Sequence, residues 1–299
     1  MSTIDREMMS RALQLATKAR FTSSPNPAVG CVITRDGKII GEGFTRPAGG
    51  NHAEIEALSG AGDTSGATAY VTLEPCSHQG NTDPCADALI AAGVTRVVVA
   101  CEDPNPQVAG AGIKKCQDAG IEVEVGLLED QARDINKGFI KRHEQGTPWV
   151  TVKMASSLDG RTAMASGQSQ WITTPAARAD VQRLRAANCA IITGIGTQKM
   201  DDPSLTVRIT SADVGVEDEL RQPLRVVVDA QLLMSPEARM FQQPGDTAVA
   251  TLDGPEQRAK AEALVAAGAE VIFLPAMAGH VDLQALLVEL AVRGCNQVL

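Results

Sequence analysis

Residues 51–85 decide how this chain is interpreted, and they read NHAEIEALSGAGDTSGATAYVTLEPCSHQGNTDPC. One imidazole, two thiols and a carboxylate stand out in that stretch, namely His52, Cys76, Cys85 and Glu54. Three ligands of this kind can hold zinc with one position open for water, and an acid two residues from the imidazole can carry a proton. The pattern predicts a zinc-dependent hydrolytic deaminase, with the carboxylate as its catalytic residue.

The local sequence predicts where these side chains lie. A helix is expected over His52–Leu58, capped by Asn51 or a neighbour, which puts the imidazole and the carboxylate in its first turn. The β-branched run 68–73 predicts a strand that delivers Cys76 to a loop. An apolar segment over 86–92 predicts a second helix, and the other thiol lies at its start. A helix start favours the thiolate, which is the form that binds zinc.

The spacing of the two cysteines departs from the common pattern of zinc deaminases. That pattern joins H-x-E to P-C-x-x-C, whereas the eight residues Ser77–Pro84 separate the cysteines here. We therefore expect a protein unlike generic nucleoside or cytosine deaminases. Two other interpretations are a closed structural zinc site and buried residues that bind no metal. A closed site needs a fourth ligand, for which His78 is the nearby candidate, and otherwise His78 is a loop or substrate contact. Ligand softness favours zinc, with iron as a minor alternative.

Longer motifs carry a resemblance that spans nearly the whole chain. In the first half they are Pro25-Asn-Pro-Ala-Val-Gly-Cys31, His52-Ala-Glu54, Thr72-Leu-Glu-Pro-Cys-Ser-His78 with Gly80 and Cys85, and Asp103-Pro-Asn-Pro-Gln-Val-Ala-Gly110. In the second half they are Ser157-Leu-Asp-Gly-Arg-Thr-Ala163, Ser169-Gln-Trp-Ile-Thr173 and Asp201-Asp-Pro-Ser-Leu-Thr-Val-Arg208. Together these motifs resemble the bifunctional deaminase/reductase family of riboflavin biosynthesis.

The resemblance implies two α/β domains with different chemistry. Residues 1–145 would form a cytidine-deaminase-like three-layer domain that deaminates 2,5-diamino-6-ribosylamino-4(3H)-pyrimidinone 5′-phosphate with zinc. Residues 149–299 would form a dihydrofolate-reductase-like domain that uses NADPH to reduce the ribosyl side chain to ribityl. Members of this family are usually oligomers, so a homo-oligomer is expected.

The resemblance also implies the residues of the second site, position by position. The NADPH site would be lined by Ala155, Trp171, Thr197, Asp201 and Ser235. The substrate would contact Asn26 in the first domain and, in the second, Lys153, Ser169, Arg185, Leu205 and Arg208. Guanidinium groups suit this role because they pair bidentately with phosphate. Simpler interpretations stay open for four of these motifs: a solvated helix face for Arg185, core packing for Trp171, a plain turn for Asp159-Gly160, and loop chemistry for Asn26.

Composition agrees with two domains and small-molecule chemistry. A chain of 299 residues with 44% hydrophobic content can bury two ordinary cores. A net charge of −9 and 3% aromatic residues disfavour a nucleic-acid surface. The sequence shows no signal peptide and no apolar run long enough for a bilayer. The seven cysteines are odd in number and scattered, so we expect a soluble protein of the reducing cytoplasm.

The remaining pattern alternates between strands and helices and breaks at Gln145-Gly-Thr-Pro148. Before the break it predicts a mixed sheet of about five strands, and a helix that starts after Asp5. The expected strands there include 28–34, 38–44, 96–100 and 122–125, with a further helix over 113–119. After the break it predicts strands 149–155, 190–193, 224–228, 247–250 and 270–274, and helices 175–187, 255–267 and 283–293. Gly194-Ile-Gly196 resembles a nucleotide loop, but the third glycine of the dinucleotide fingerprint is missing.

Two departures from the family pattern affect the expectations. Asp83 stands where a proline is usual, which adds a carboxylate near the metal loop. The last predicted strand begins at Gln297 and has three residues, which is short against the usual five or six. We therefore expect the second domain to be C-terminally incomplete, with an exposed sheet edge, and to be less stable or completed by residues outside this sequence.

Three functions remain open on the sequence. The first is the bifunctional enzyme, and the second is a deaminase with a truncated, inactive reductase domain. The third is a non-catalytic scaffold stabilised by zinc. Glu54 separates the last from the others, because a structural metal site has no use for an acid beside the metal.

Overall fold

The computed structural model describes residues 2–78, 83–106 and 108–299, which divide into two compact units. The first unit comprises residues 1–147 with 215–219, and the second comprises 148–214 with 220–299. Two positions of the quoted motifs, Gly80 and Gln107, lie outside the described residues. Within the described ranges, no helix is both long enough and apolar enough to cross a membrane.

The first unit is a five-stranded mixed sheet with helices. Its strands follow the order β2-β1-β3-β4-β5, in which β1 is antiparallel to β2 and β3 while β3, β4 and β5 are parallel. The predicted mixed sheet is therefore confirmed. The elements are α1 Thr3–Ala19, β1 Gly30–Arg35, β2 Lys38–Phe44, α2 Ala53–Gly60, β3 Thr68–Val71, α3 Cys85–Ala91, β4 Arg96–Val99, α4 Ala111–Asp118, β5 Glu122–Val125, α5 Glu129–Ile135 and α6 Lys137–Gln145.

Local sequence explains two boundaries in this unit. The turn between β1 and β2 places Asp36 and Gly37 at φ values of 52° and 73°, the left-handed conformation that a two-residue hairpin turn needs. Helix α1 begins before Asp5 and not after it, because Ser2 Oγ accepts a hydrogen bond from the Asp5 amide at 3.1 Å. The Asp5 carboxylate accepts from the Ser2 amide at 2.6 Å in return, which completes a capping box.

Helix α2 lies directly against β2, and a glycine permits the close approach. A methyl group at Gly43 would overlap the backbone of Ala53 and Ala57. The same helix begins beside His52 and carries Glu54 in its first turn. The close contact between β2 and α2 therefore fixes the position of the first turn of α2, and with it the positions of the His52 and Glu54 side chains.

The second unit contains a six-stranded parallel sheet. Its strand order is β10-β9-β8-β7-β13-β6, so β13 lies between β7 and β6 although it comes last in sequence. The elements are β6 Trp149–Val150, α7 Pro175–Ala187, β7 Ala190–Gly194, α8 Ile195–Asp201, β8 Leu224–Val228, β9 Thr247–Leu252, α9 Pro255–Ala266, β10 Ala269–Leu274, β11 Ala276–Met277, β12 His280–Val281, α10 Leu283–Val292 and β13 Gln297–Val298. Strands β11 and β12 form a separate hairpin.

The strand predicted over 149–155 is wrong beyond Val150. Strand β6 pairs with the two residues of β13, and a further ladder bond runs from the Thr151 amide to the Val298 carbonyl at 2.9 Å. β-Branched sequence forms a strand only where a partner strand is present, and Val152 is 79% exposed. Strand β6 is thus one edge of the sheet. That this domain is less stable, or completed by residues outside the sequence, stays a prediction.

Candidate functional site

Three elements of the first unit bring the predicted metal ligands together. His52 is the N-cap residue of α2, Cys76 follows β3 in a loop, and Cys85 is the first residue of α3. His52 Nδ1 lies 3.6 Å from Cys76 Sγ and 3.3 Å from Cys85 Sγ. All three ligand atoms lie within 4.8 Å of one another. Asn51 does not cap the helix, since its side chain donates to Glu56 at 2.9 Å.

The donor set fits zinc. Two thiols and an imidazole are ligands that zinc prefers. A tetrahedral ion with a Zn–S bond of roughly 2.3 Å and a Zn–N bond of roughly 2.0 Å separates nitrogen from sulfur by roughly 3.5 Å, close to the two distances above. His78, the candidate fourth ligand, is exposed and lies outside the ligand cluster found among the described residues. The arrangement fits a three-ligand site with one open position.

Hydrogen bonds distribute negative charge unequally between the two thiols. The hydrogen bond from the Cys85 thiol, followed by that from His52, lowers the pKa of Cys76 to about 4. The Cys85 amide, at the start of α3, also donates to Cys76 Sγ at 3.3 Å. The pairing with Cys76, together with burial, raises the pKa of Cys85. The backbone amide at the start of α3 therefore stabilises negative charge on Cys76, whereas the sequence predicted this effect for Cys85.

Glu54 is buried beside the ligands. Its side chain lies in the first turn of α2, is 3% exposed, and lines the same cavity as His52 and Cys76. Burial raises the pKa of Glu54 to about 7, and the negative charge of Cys76 acts in the same direction. A carboxyl group placed in this way beside a reaction cavity can exchange protons with a bound molecule.

A cavity of about 280 Å³ opens next to these side chains. Asn26, predicted as a substrate contact, lines it together with His78. Behind Asn26, the loop is held by Asn136, whose side chain hydrogen-bonds to the backbone of Ala28. Asn26 therefore lines the cavity from a loop that these hydrogen bonds hold in place, and its contact with a substrate stays a prediction.

Several residues that line the cavity were missed by sequence reasoning, among them two acidic or amide side chains and three residues of one helix. Asp103 and Asn105 belong to the motif 103–110, for which the sequence predicted no role. The Asp103 carboxylate oxygen Oδ1 accepts a hydrogen bond from the Asn105 amide at 2.8 Å. Burial raises the pKa of Asp103 to about 6. Phe139, Arg142 and His143 lie on α6, which the sequence analysis did not predict. The signal that could have found α6 is Gly146, which ends the helix in the left-handed conformation at φ 68°.

In the second unit, the predicted NADPH residues follow the carboxyl ends of parallel strands. Ala155 comes after β6, Thr197 and Asp201 lie on α8 directly after β7, and Ser235 follows β8. Parallel strands end at the same edge of a sheet, and that edge is where open α/β sheets bind ligands. Trp171 is 70% exposed before α7, so it is not a core residue.

Arg185 has the most defined environment among the predicted substrate contacts of this unit. It lies on α7, is half-buried, and donates from Nη1 to the Thr206 carbonyl at 2.9 Å. Burial lowers the pKa of Arg185, and the positive charge of Arg208 adds to the effect. Arg185 is therefore not a solvated surface residue, and two guanidinium groups are close enough to repel each other. Among the other predicted substrate contacts, Ser169 and Leu205 are half-buried, and Lys153 and Arg208 are exposed.

Two glycine motifs and one buried aspartate of this unit have local structural roles. Gly194 is the N-cap residue of α8, so the Gly194–Gly196 motif begins a helix. Gly160 forms a turn, with its amide donating to the Ser157 carbonyl at 2.9 Å. Asp229, which sequence reasoning missed, is 1% exposed and accepts from the Met234 amide at 2.8 Å. Asp229 thereby fixes the turn that leads to Ser235.

Comparisons with known proteins agree with both halves of this description. The family model for the cytidine and deoxycytidylate deaminase zinc-binding region matches residues 2–101, and the model for the RibD C-terminal domain matches residues 148–299. The riboflavin biosynthesis protein RibD of Escherichia coli K12 is 50% identical over 300 residues, covering 98% of this chain and 80% of that relative. The RibD protein of Aquifex aeolicus is 42% identical, covering 91% and 74%.

Solved structures of relatives superpose over nearly the whole chain. RibD of Acinetobacter baumannii has a TM-score of 0.86 and 44% identity, covering 99% of this chain and 79% of that one. The diaminohydroxyphosphoribosylaminopyrimidine deaminase/5-amino-6-(5-phosphoribosylamino)uracil reductase of Thermotoga maritima has a TM-score of 0.84 and 35% identity, covering 99% and 80%. The chain belongs to the RibD family of bifunctional riboflavin biosynthesis enzymes, in which a zinc-binding deaminase domain is followed by an NADPH-dependent reductase domain.

Proposed function

We propose that this chain deaminates 2,5-diamino-6-ribosylamino-4(3H)-pyrimidinone 5′-phosphate and then reduces the ribosyl side chain of the product to ribityl. The observation that carries the proposal is the convergence of His52, Cys76 and Cys85 beside buried Glu54 in one cavity. The Thermotoga maritima relative, with which the chain shares 35% identity, is named for a deaminase and a reductase activity of this kind.

His52, Cys76 and Cys85 would hold the zinc ion. When bound, zinc supplies a Lewis acid that makes water acidic enough to attack at neutral pH. Glu54 takes one proton from the attacking water and gives it to a ring nitrogen of the pyrimidine. It then takes the remaining proton of the new hydroxyl group and gives it to the amine, which leaves as the C–N bond breaks. Water and the amino group are thereby exchanged for a carbonyl group and ammonia. The buried position of Glu54 keeps this proton within the cavity.

Substrate recognition in the deaminase domain would begin with Asn26 and continue along the cavity wall. In the reductase domain, Lys153, Ser169, Arg185, Leu205 and Arg208 would contact the substrate, and the two arginines are suited to its phosphate. NADPH supplies the hydride. Its binding residues would be Ala155, Trp171, Thr197, Asp201 and Ser235, and their position after the carboxyl ends of β6, β7 and β8 supports this.

The domains would extend over residues 1–145 and 149–299. The division into compact units near residue 147 and the family match over 148–299 support this boundary. The seven free cysteines support a cytoplasmic location, where thiols remain reduced. We also propose a homo-oligomer, for which exposed apolar side chains such as Val152 and Met154 offer contact surface.

A coupled assay with the purified chain tests both activities separately. Ammonia release and NADPH oxidation are followed with the pyrimidinone phosphate as substrate. Both signals are expected. Ammonia without NADPH oxidation would favour the alternative of a deaminase with an inactive reductase domain, in which β6 is an edge strand of the sheet. If neither ammonia release nor NADPH oxidation is observed, the proposal is contradicted, and the interpretation as a non-catalytic scaffold is favoured.

A further inference from the structure

Glu74 lies two residues before the metal ligand Cys76 and was not singled out in the sequence. It is 4% exposed, and its carboxylate accepts four hydrogen bonds from backbone amides. Oε2 accepts from Asp103 at 3.2 Å and Gly110 at 3.0 Å, and Oε1 accepts from Gly112 at 2.9 Å and Ile113 at 3.2 Å. Each carboxylate oxygen therefore accepts two backbone hydrogen bonds, and Glu74 meets the cavity as one of its lining residues while its oxygens are directed at these amides.

The four amides come from the two ends of one segment, which we call the 103–113 loop and of which residues 103–106 and 108–113 are described. Asp103 lies just after β4, while Gly110, Gly112 and Ile113 lie at the start of α4, which runs from 111 to 118. Three of the four amides that donate to the Glu74 carboxylate lie at the start of α4, where the positive end of the helix favours a negative group. Glu74 therefore closes the 103–113 loop by joining its two ends.

Backbone contacts fix the segment that carries Glu74 in the same place. The Glu74 amide donates to the Cys101 carbonyl at 3.0 Å, at the end of β4. On the other side, Gly112 packs so closely that a methyl group there would overlap the carbonyl oxygen of Pro75. The metal-ligand segment and the 103–113 loop are thus held against each other by both side chain and backbone.

The position of this loop matters for the site. Asp103, Asn105 and Val108 line the same cavity as His52 and Cys76. We propose that Glu74 is a positioning residue of the deaminase, which holds the wall formed by the 103–113 loop at a fixed distance from the metal ligands. The inference rests on the proposed deaminase function. It predicts that loosening Glu74 weakens substrate binding more than it weakens metal binding, because the ligands are held by α2, α3 and the loop after β3.

The variant Glu74→Gln tests this, with Glu102→Gln as the matched control. Glutamine keeps the shape of the side chain, but its NH2 group would face two backbone N–H donors. Glu102 is a suitable control because it is exposed and lies next to the same loop. Loss of hydrogen bonds to a charged group predicts that KM rises about tenfold in Glu74→Gln, with kcat changed by less than about threefold. Zinc content should be unchanged. Amide exchange at Asp103, Gly110, Gly112 and Ile113 should accelerate about tenfold.

The control is expected to match the unsubstituted protein in all four measurements. Unchanged exchange in the 103–113 loop, or faster exchange with unchanged KM, would overturn the proposal. If Glu74→Gln does not fold, Glu74→Asp replaces it, because aspartate keeps the carboxylate on a shorter side chain. The rise in KM and the acceleration of amide exchange should then be smaller. Absence of turnover in the unsubstituted protein would contradict the deaminase function itself, and amide exchange would still show whether Glu74 holds the loop.

Discussion

The side chain of Asn136 pairs with both backbone groups of Ala28, 108 positions away in sequence. Asn136 Oδ1 accepts from the Ala28 amide at 2.8 Å, and Nδ2 donates to the Ala28 carbonyl at 2.9 Å. Asn136 is 4% exposed and joins α5 to α6. The amide therefore acts like a neighbouring strand for the loop that presents Asn26 to the cavity.

Replacing Asn136 by leucine should destabilise the first unit and loosen that loop. Two buried backbone groups of Ala28 would lose their partners, which predicts a fall of roughly 2–4 kcal/mol in the free energy of unfolding. Urea unfolding followed by circular dichroism measures the change. Gln131→Leu removes a similar amide from an exposed position on α5 and should change the free energy by less than about 0.5 kcal/mol. Equal stability of the two variants would contradict the role of Asn136.

Gly43→Ala should displace α2 from the sheet. The added methyl group overlaps the backbone of Ala53 and Ala57, so the helix that carries Glu54 and follows His52 must move. We expect the free energy of unfolding to fall by roughly 1–3 kcal/mol, which lowers the midpoint of thermal unfolding by several degrees. Zinc content should also be reduced. Gly62→Ala is the control, because its methyl group would meet no atom within 4 Å. Full zinc occupancy in Gly43→Ala would argue against this packing.

Asp5 should make the first unit sensitive to acid. Its carboxylate accepts from Arg96 at 2.8 Å and Tyr70 at 2.9 Å, and the bond from Arg96 holds the pKa of Asp5 well below its ordinary value of 3.8. Because the pKa is lower in the folded state, ionised Asp5 stabilises the fold above about pH 4. That stabilisation is lost as the pH falls from there toward the lower pKa of the folded state.

The variant Asp5→Asn checks the direction of this effect. At pH 7 it should lower the free energy of unfolding by roughly 2–3 kcal/mol, and the difference from the unsubstituted protein should shrink below about pH 4. Tyr70→Phe removes only the hydrogen bond from Tyr70 and should show the same trend with a smaller difference in the free energy of unfolding. Urea unfolding between pH 3 and pH 7 gives both curves. A difference that grows as the pH falls would show that the sign is wrong.

The metal ligands could be predicted because each is tied to a local signal. His52 stands at the start of a helix, Cys76 follows a β-branched run, and Cys85 opens an apolar segment. Local propensity and residue chemistry are enough to place such side chains near element ends. The side chains that hold the loops have no such signal, because Asn136 and Glu74 act on backbone far away in sequence.

The strand predicted over 149–155 and the missed helix α6 show where local sequence is not sufficient. The run 149–155 has strand propensity, but pairing with two-residue β13 ends near Thr151. Whether a β-branched run becomes a strand depends on its partner, which local sequence does not reveal. Helix α6 escaped prediction because its apolar pattern is short, although Gly146 marks its end.

The central claim is that Glu54 carries the proton in a site where His52, Cys76 and Cys85 hold zinc. The most direct measurement is ammonia release from the pyrimidinone phosphate by Glu54→Gln, with zinc content determined on the same sample. Glu56→Gln, on the same helix, is the control. The account predicts that Glu54→Gln keeps its zinc while ammonia release falls by roughly 10²- to 10⁴-fold, and that Glu56→Gln matches the unsubstituted protein. A zinc-loaded Glu54→Gln that releases ammonia at the unsubstituted rate would contradict it.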